Sequence, residues 1–157
     1  MTTNRPPAFR DIRDNRGGGF APRPQLPAGY LQKGYFDEKG NVLPQVIHDW
    51  PKTIADALFK ARPRMTSSQL RGAFFAEVRR QEKRLEVIRD FDAIRPDLLK
   101  LGVFAANRKN KNKVPPLFEE FITANLRWAS RSEKDFKQGF VNHFECVVGY
   151  YPEVHGN

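Results

Sequence analysis

Two stretches of the chain carry several basic residues and no acidic residue. They run from Lys60 to Arg71 and from Leu98 to Phe118. Their cationic side chains are Lys60, Arg62, Arg64, Arg71, Lys100, Arg108, Lys109, Lys111 and Lys113. Such side chains bind phosphate oxygens without reading base identity. The whole chain has 27 basic and 18 acidic residues, a net charge of +9, which predicts a polyanionic partner, most simply a nucleic acid.

The first basic stretch leads directly into a predicted helix start. Thr66 and Gln69 form a T-x-x-Q capping box, and Met65 can pack on Leu70 as a hydrophobic staple. A helix start presents backbone N–H groups and a positive dipole end, which favour a phosphate, and the Ser67 hydroxyl can donate to one. The cap and the staple account for Met65, Thr66, Gln69 and Leu70 without any function. The polar and basic residues that remain predict a site for a phosphate backbone: Lys60, Arg64, Ser67 and Arg71.

Residues that could support catalysis or hold a metal are scattered along the sequence. His48, His143 and His155 lack partners at metal-ligand spacing, so we expect surface or half-buried histidines. Cys146 lies among apolar residues, which predicts a buried thiol. Acidic residues between 77 and 90 alternate with cations, as is typical of a solvated helix face with mixed ion pairs. We therefore expect no catalytic residue, no metal, no cofactor and no enzymatic activity.

Residues 1–28 differ in composition from the rest of the chain. They contain five arginines, several prolines and three consecutive glycines, but few large apolar residues. Such a segment cannot bury enough surface to offset the entropy lost on ordering. We predict a disordered Arg/Pro/Gly-rich tail over 1–28 and a single domain over 29–157. Residues 26–44 are rich in aromatic and turn-forming residues, which predicts an ordered irregular segment that can form a short hairpin near residues 37–41.

The spacing of apolar residues after residue 44 is helical. A first helical region is predicted over residues 45–61, with a break near residue 50 caused by Pro51 and with Asp49 as its N-cap. A second helix should begin at the Thr66 cap and run to about residue 90. Its predicted core face consists of Leu70, Phe74, Val78, Gln81, Leu85 and Ile88.

Three more helices complete the prediction. Their expected starts are Pro96, Pro115 or Pro116, and a Ser132–Asp135 cap. The third should end near Asn107, present Leu98, Leu99, Leu101, Val103 and Phe104 on its apolar side, and continue into a basic loop. The fold class is therefore all-α, a compact bundle of about five helices. If neighbouring helices are antiparallel, the end of the third lies near the start of the second.

Four segments together resemble a known family. They are LPAGYLQKGYFDEKGNVLPQVI, MTSSQLRGAFFAEVRR, IRPDLLKLGVFAANR and DFKQGFVNHFECVVGYY. Their order and spacing, and above all the pieces TSSQLR and AANR, are similar to the small subunit of the type III-A CRISPR effector, the Csm complex, over Leu26 to Tyr151. The resemblance implies an all-helical subunit without catalytic activity, which stacks in several copies along the effector filament and contacts guide RNA and target RNA through phosphates.

The resemblance and the charge pattern together select the candidate RNA-binding residues. Those that match the family's two motifs are Thr66, Ser67, Gln69, Arg71 and Arg108. Those selected from charge and position are Lys60, Arg64, Arg79, Lys83 and Lys109. The implied partners are guide RNA, target RNA, other copies of this chain, and the backbone and large subunits of the complex. Backbone recognition suits a guide whose sequence changes with every spacer.

The chain departs from the family's pattern at three places. The tail before Leu26 lies outside the resemblance, and Pro51 stands where the family has a continuous helix. Asn107 replaces a glycine, and KNKNK extends the following loop, which predicts a longer and more mobile loop.

Other functions stay open at this point. The length of 157 residues fits one domain, no apolar run is long enough to span a membrane, and the single cysteine suits the cytoplasm. A stand-alone basic helical protein that binds DNA or ribosomal RNA is the main alternative. A small nuclease is a further one, which the lack of clustered acids or histidines disfavours.

Overall fold

The computed structural model describes residues 23–152. Most of the predicted tail and His155 lie outside this range. Between these limits the chain forms six helical elements and no strand apart from one isolated bridge. They are α1 (Pro44–Ile47), α2 (Asp49–Lys60), α3 (a π-helical Ser68–Phe75 followed by Ala76–Ile88), α4 (Phe91–Asn110), α5 (Pro116–Ala129) and α6 (a π-helical Asp135–Val141 followed by Asn142–Tyr150). Because α1 is a single turn, the predicted all-α bundle of about five helices is confirmed.

Aromatic side chains hold the helices together. α2 packs against α6, and α4 packs against both α3 and α5. Phe118 of α5 lies in the middle, with ring centroids 4.6 Å from Phe74 of α3 and 6.5 Å from Phe144 of α6. All three rings are fully buried. Burying one such side chain stabilises the fold by roughly 1.5–3 kcal/mol, so this aromatic contact is a major source of the bundle's stability.

A segment ahead of the helices, the strap (residues 26–43), lies on the bundle. As predicted, it contains a short hairpin: Phe36 and Val42 form an antiparallel bridge, and the N–H of Asp37 donates to Asn41 at 2.8 Å. The fully buried Tyr35 ring lies directly over Gly139 of α6, where an added Cβ would be 2.3 Å from it. Only glycine at 139 allows the strap to pack so closely.

A buried hydrogen-bond network joins the strap to the bundle. His143 Nδ1 is 2.6 Å from the Val46 carbonyl, to which it must donate, so Nε2 accepts from the Tyr30 hydroxyl at 2.6 Å. Asn125 donates to Tyr30 Oη and accepts from Tyr35 Oη, each at 2.8 Å. The expectation of surface or half-buried histidines is wrong for His143, which is 0% exposed. Burial lowers the pKa of His143 to about 4.

Two predicted helix starts are wrong. α4 begins at Phe91 rather than Pro96, because Asp90 caps it by accepting from the N–H of Asp92 at 3.1 Å, and Phe91 and Ile94 are buried in the core. Burial of this first turn outweighs the hydrogen bond that Pro96 removes inside the helix.

Asp49 is also not an N-cap, although the break between helices lies close to the predicted position. It is the first residue of α2, and its carboxylate contacts His48 Nδ1 at 2.8 Å. Pro51 therefore falls in the first turn of α2, where its missing N–H would have no helical partner.

Some predicted core residues face solvent instead. Leu70, Phe74, Val78, Gln81 and Leu85 are buried as expected, but Ile88 is 44% exposed at the end of α3. On α4, Leu99 and Val103 are 46% and 70% exposed. They lie on the side of α4 opposite the buried Leu98, Leu101 and Ala105, because one face of a helix cannot include every leucine of an LLKL run. Cys146 is half-buried rather than buried.

Candidate nucleic-acid interface

The predicted capping box forms at the start of α3. The N–H of Gln69 donates to Thr66 Oγ1 at 3.0 Å, and the N–H of Thr66 donates to Gln69 Oε1 at 2.8 Å. Met65 and Leu70, the proposed staple, are both fully buried. The cap therefore uses the backbone donors of Thr66 and Gln69, and these two groups are not available to a phosphate.

The end of α4 has a different shape from the predicted one. α4 continues to Asn110, so Arg108 and Lys109 lie on its last turn rather than in a loop. The N–H groups of Asn112 and Lys113 donate at 2.9 Å to the carbonyls of Lys109 and Arg108, which is a Schellman motif. Asn112 has φ +58°, the left-handed conformation that the motif requires. The expected long loop is thus a short turn closed by its own hydrogen bonds.

One hydrogen bond joins the two acid-free stretches. Gln69 Nε2 donates to the Lys113 carbonyl at 3.1 Å, across 44 residues of sequence. At the other ends of α3 and α4, Arg84 Nη1 lies 2.5 Å from Asp97 Oδ2. Both contacts require α3 and α4 to be antiparallel, which confirms that the end of α4 lies beside the start of α3.

The ends of α2 and α6 reach the same place. Tyr151, which follows α6, donates to the Met65 carbonyl at 2.6 Å, and Arg71 donates to the Val148 carbonyl at 3.4 Å. Arg64 donates to the Phe59 carbonyl at the end of α2, and its guanidinium lies 4.1 Å from the Phe59 ring centroid. We call this surface the basic end. It comprises Lys60, Arg62, Arg64, Arg71, Arg108, Lys109, Lys111 and Lys113.

Within residues 23–152, two cations of the basic end pair with carboxylates, Lys60 with Asp56 at 3.0 Å and Lys109 with Glu119 at 3.2 Å. In the same range, no ion pair with a carboxylate is formed by Arg62, Arg64, Arg108, Lys111 or Lys113. The Lys60–Asp56 pair is exposed, and such a pair is worth at most about 1 kcal/mol, so a phosphate can replace its carboxylate. The Arg108 guanidinium lies 5.1 Å from the Phe104 ring, which holds it without neutralising it.

A recess opens beside the capped helix start. It measures about 530 Å³ and is lined by Arg62, Arg64, Met65 and Thr66. Arg62 donates to the carbonyls of Ala61 and Lys60 at 3.1 and 3.2 Å, so it also caps the end of α2. Arg62, Lys111 and Lys113 were not among the selected RNA-binding residues, although the absence of acids around them was a signal for them.

Two selected residues lie away from the basic end. Arg79 and Lys83 are further along α3, roughly 18 and 24 Å from Ser67 at 1.5 Å per residue. Arg79 pairs with Glu82 at 3.3 Å, and Lys83 is exposed. The structure brings together the other selected residues, Lys60, Arg64, Thr66, Ser67, Gln69, Arg71, Arg108 and Lys109. The Ser67 hydroxyl makes a long hydrogen bond, 3.5 Å, to the Pro152 carbonyl.

Charged residues along α3 form the mixed ion pairs that the sequence predicted, and Arg84 pairs with a carboxylate on α4. Arg80 binds Glu77 at 2.8 Å, and Arg84 and Lys100 both contact Asp97, at 2.5 and 3.6 Å. The hydrogen bond from Arg84 holds the pKa of Asp97 below its usual value. The Asp97 carboxylate is therefore engaged as an anion in ion pairs.

No three histidine, cysteine or acidic side chains of residues 23–152 are grouped as metal ligands would be. His143 is buried and Tyr30 is partly buried, and the hydrogen bonds of this pair are satisfied within the protein. Among the described helices, none has the length and apolarity needed to cross a membrane.

No curated protein and no solved structure matches the chain. The family Csm2 Type III-A matches residues 45–157, which include all of the basic end. The chain therefore belongs to the Csm2 family, the small subunit of the type III-A CRISPR complex, or Csm complex.

Proposed function

We propose that this chain is a non-catalytic, cytoplasmic subunit of the Csm complex that binds the phosphate backbone of guide RNA and target RNA through the basic end. The contact between Gln69 and Lys113 carries the proposal. It combines two acid-free stretches, distant in sequence, into one cationic surface. A polyanion on this surface meets several cations at once, and each neutralised phosphate releases counterions.

The type of cation favours the backbone over the bases. The basic end consists of helix termini and turns that carry lysine and arginine side chains, most of them exposed. Such groups position a strand but carry no sequence information. A subunit that serves every guide needs binding that is indifferent to sequence, because base pairing between guide and target supplies the specificity.

The selected residues have different proposed roles. Lys60, Arg64, Arg71, Arg108 and Lys109 supply charge, and Ser67 supplies a hydroxyl donor. Thr66 and Gln69 form the cap that sets where the helix begins, and so shape the surface around them. Because Arg79 and Lys83 lie further along α3, we propose that they contact a different part of the RNA.

The charge of the chain also bears on its protein partners. A net charge of +9 makes copies of the chain repel one another. An RNA strand that neutralises part of this charge lets copies stack beside each other, next to the backbone and large subunits. We further propose that residues 29–157 form one domain, since the strap and all six helices share one core, and that residues 1–28 form a tail.

Binding to RNA at several salt concentrations tests the function. Labelled single-stranded RNAs of unrelated sequence should bind with equal affinity, and log Kd should rise linearly with log salt, with a slope of roughly 0.7 per phosphate contacted. The chain should also co-purify with guide RNA when the other Csm subunits are expressed with it. Failure of both the free chain and the complex to bind RNA at low salt would exclude the proposal.

Two results would point to the alternatives instead. Equal binding of duplex DNA, together with failure to enter the complex, would favour a stand-alone nucleic-acid-binding protein. Metal-dependent cleavage of RNA that survives repurification and is lost on changing one acidic residue would favour a nuclease.

A further inference from the structure

We propose that Gln69 is a positioning residue of the RNA-binding surface, and this inference rests on the proposed function. Its side-chain amide has two partners: Oε1 accepts from the Thr66 N–H at 2.8 Å, and Nε2 donates to the Lys113 carbonyl at 3.1 Å. One side chain thus caps α3 and ties the turn after α4 to the cap. We call the second contact the latch.

The latch requires a side chain that both accepts and donates. Glutamate at position 69 would preserve the capping box, since S/T-x-x-E is as good a box as S/T-x-x-Q. It cannot donate to the Lys113 carbonyl, because a carboxylate only accepts hydrogen bonds. The cap therefore does not explain by itself why glutamine stands here, whereas the contact with Lys113 requires the amide.

The latch joins the turn that follows α4, residues 111–113, to the start of α3. The Schellman hydrogen bonds fix Lys113 to the end of α4, and Val114, the next residue, is 1% exposed. The latch is a hydrogen bond between this turn and α3. It sets the distance from Lys111 and Lys113 to Arg64 on the other side of the helix start, and hence whether one RNA strand can contact all three.

Two variants with the same charge separate the latch from electrostatics. Gln69→Glu and Ser68→Glu each add one negative charge in the same turn, and Ser68 is exposed. Only the former removes the latch. We expect Gln69→Glu to weaken RNA binding by roughly threefold to tenfold more than Ser68→Glu, the effect of one hydrogen bond. Amide hydrogen exchange at residues 111–113 should be faster in Gln69→Glu alone.

A double-mutant cycle shows whether Gln69 acts through the turn. In a Lys113→Ala background, Gln69→Glu and Ser68→Glu should differ less than in the wild-type background, because part of the difference comes from misplacing the Lys113 charge. Should Gln69→Glu fail to fold, Gln69→Met and Thr66→Val replace the pair: both break the cap, and only Gln69→Met breaks the latch. The same excess loss of affinity is expected.

The outcomes distinguish the two proposals. If the wild-type chain does not bind RNA, the proposed function fails and the role of Gln69 with it. If the wild-type chain binds but each pair of variants binds equally, with equal exchange at residues 111–113, only the positioning role is overturned.

Discussion

The Tyr30 hydroxyl lies 2.6 Å from Nε2 of His143, 113 residues further along the chain. Tyr30 belongs to the strap, which precedes the family match at residues 45–157, whereas His143 lies within it. The bond therefore joins a segment outside the matched region to the centre of the bundle. Without the strap, His143 and Asn125 would each lose a buried hydrogen-bond partner.

Removing the Tyr30 hydroxyl should destabilise the fold. Tyr30→Phe leaves His143 Nε2 and Asn125 Nδ2 without this partner, and an unsatisfied buried group costs about 1–3 kcal/mol. Urea unfolding measures the loss. Tyr150→Phe is the control, since Tyr150 is 41% exposed, and it should unfold as the wild type does. Equal midpoints for both variants would contradict a structural role for the network.

The folded chain should become less stable as the pH falls, because His143 is buried in its neutral form. Its pKa is lowered from 6.5 to about 4 in the folded chain, so the unfolded chain binds more protons between these values. The stabilisation is complete above the unfolded pKa and is lost as pH falls from 6.5 toward 4. By linkage the loss is about 2 kcal/mol between roughly pH 7.5 and pH 5.

Urea unfolding of the wild type and of His143→Gln at both pH values separates the contribution of His143 to this pH dependence from that of the carboxylates. The variant is less stable at neutral pH but should lose less stability on acidification. An identical pH dependence in the two proteins would show that His143 does not titrate on unfolding.

Arg108→Ala should weaken RNA binding by a similar factor for all RNA sequences. One lost phosphate contact lowers the slope of log Kd against log salt by roughly 0.7. Arg127→Ala makes the same charge change at the far end of α5, where the side chain is exposed. Fluorescence anisotropy should show a larger effect for Arg108→Ala. A loss that depended on RNA sequence would instead indicate base contacts.

Arg71→Ala should likewise reduce RNA affinity without sequence preference. Its side chain is exposed, so only a small change in stability is expected. Circular dichroism during thermal unfolding measures that change alongside the RNA titration. Lost helicity would show that Arg71 is mainly structural.

Leu70→Ala should do the reverse, and lower stability rather than RNA affinity per folded molecule. Leu70 is 0% exposed, and truncating a buried leucine costs roughly 2–5 kcal/mol. Leu99→Ala is the matched control, because Leu99 is 46% exposed and should lose far less. Similar unfolding free energies for the two variants would mean that the cavity at Leu70 collapses.

The amino-acid sequence by itself determined those features that depend on residues a few positions apart. The cap at Thr66 and Gln69 and the cap at Ser132 and Asp135 form as predicted, because each needs only a side chain and an N–H three residues away. The charge surplus and the helical period are likewise properties of the chain itself. They were sufficient for the all-α fold and for selecting the basic stretches.

Tertiary packing decided the rest. Burial of Phe91 and Ile94 moved the start of α4 ahead of Pro96, and the single face that α4 can bury left Leu99 and Val103 in solvent. His143 became a buried partner of Tyr30 only because the strap crosses the bundle. Likewise, the latch between Gln69 and Lys113 exists only because α3 and α4 pack antiparallel. Contacts between residues far apart in sequence depend on how whole helices pack, which local patterns do not encode.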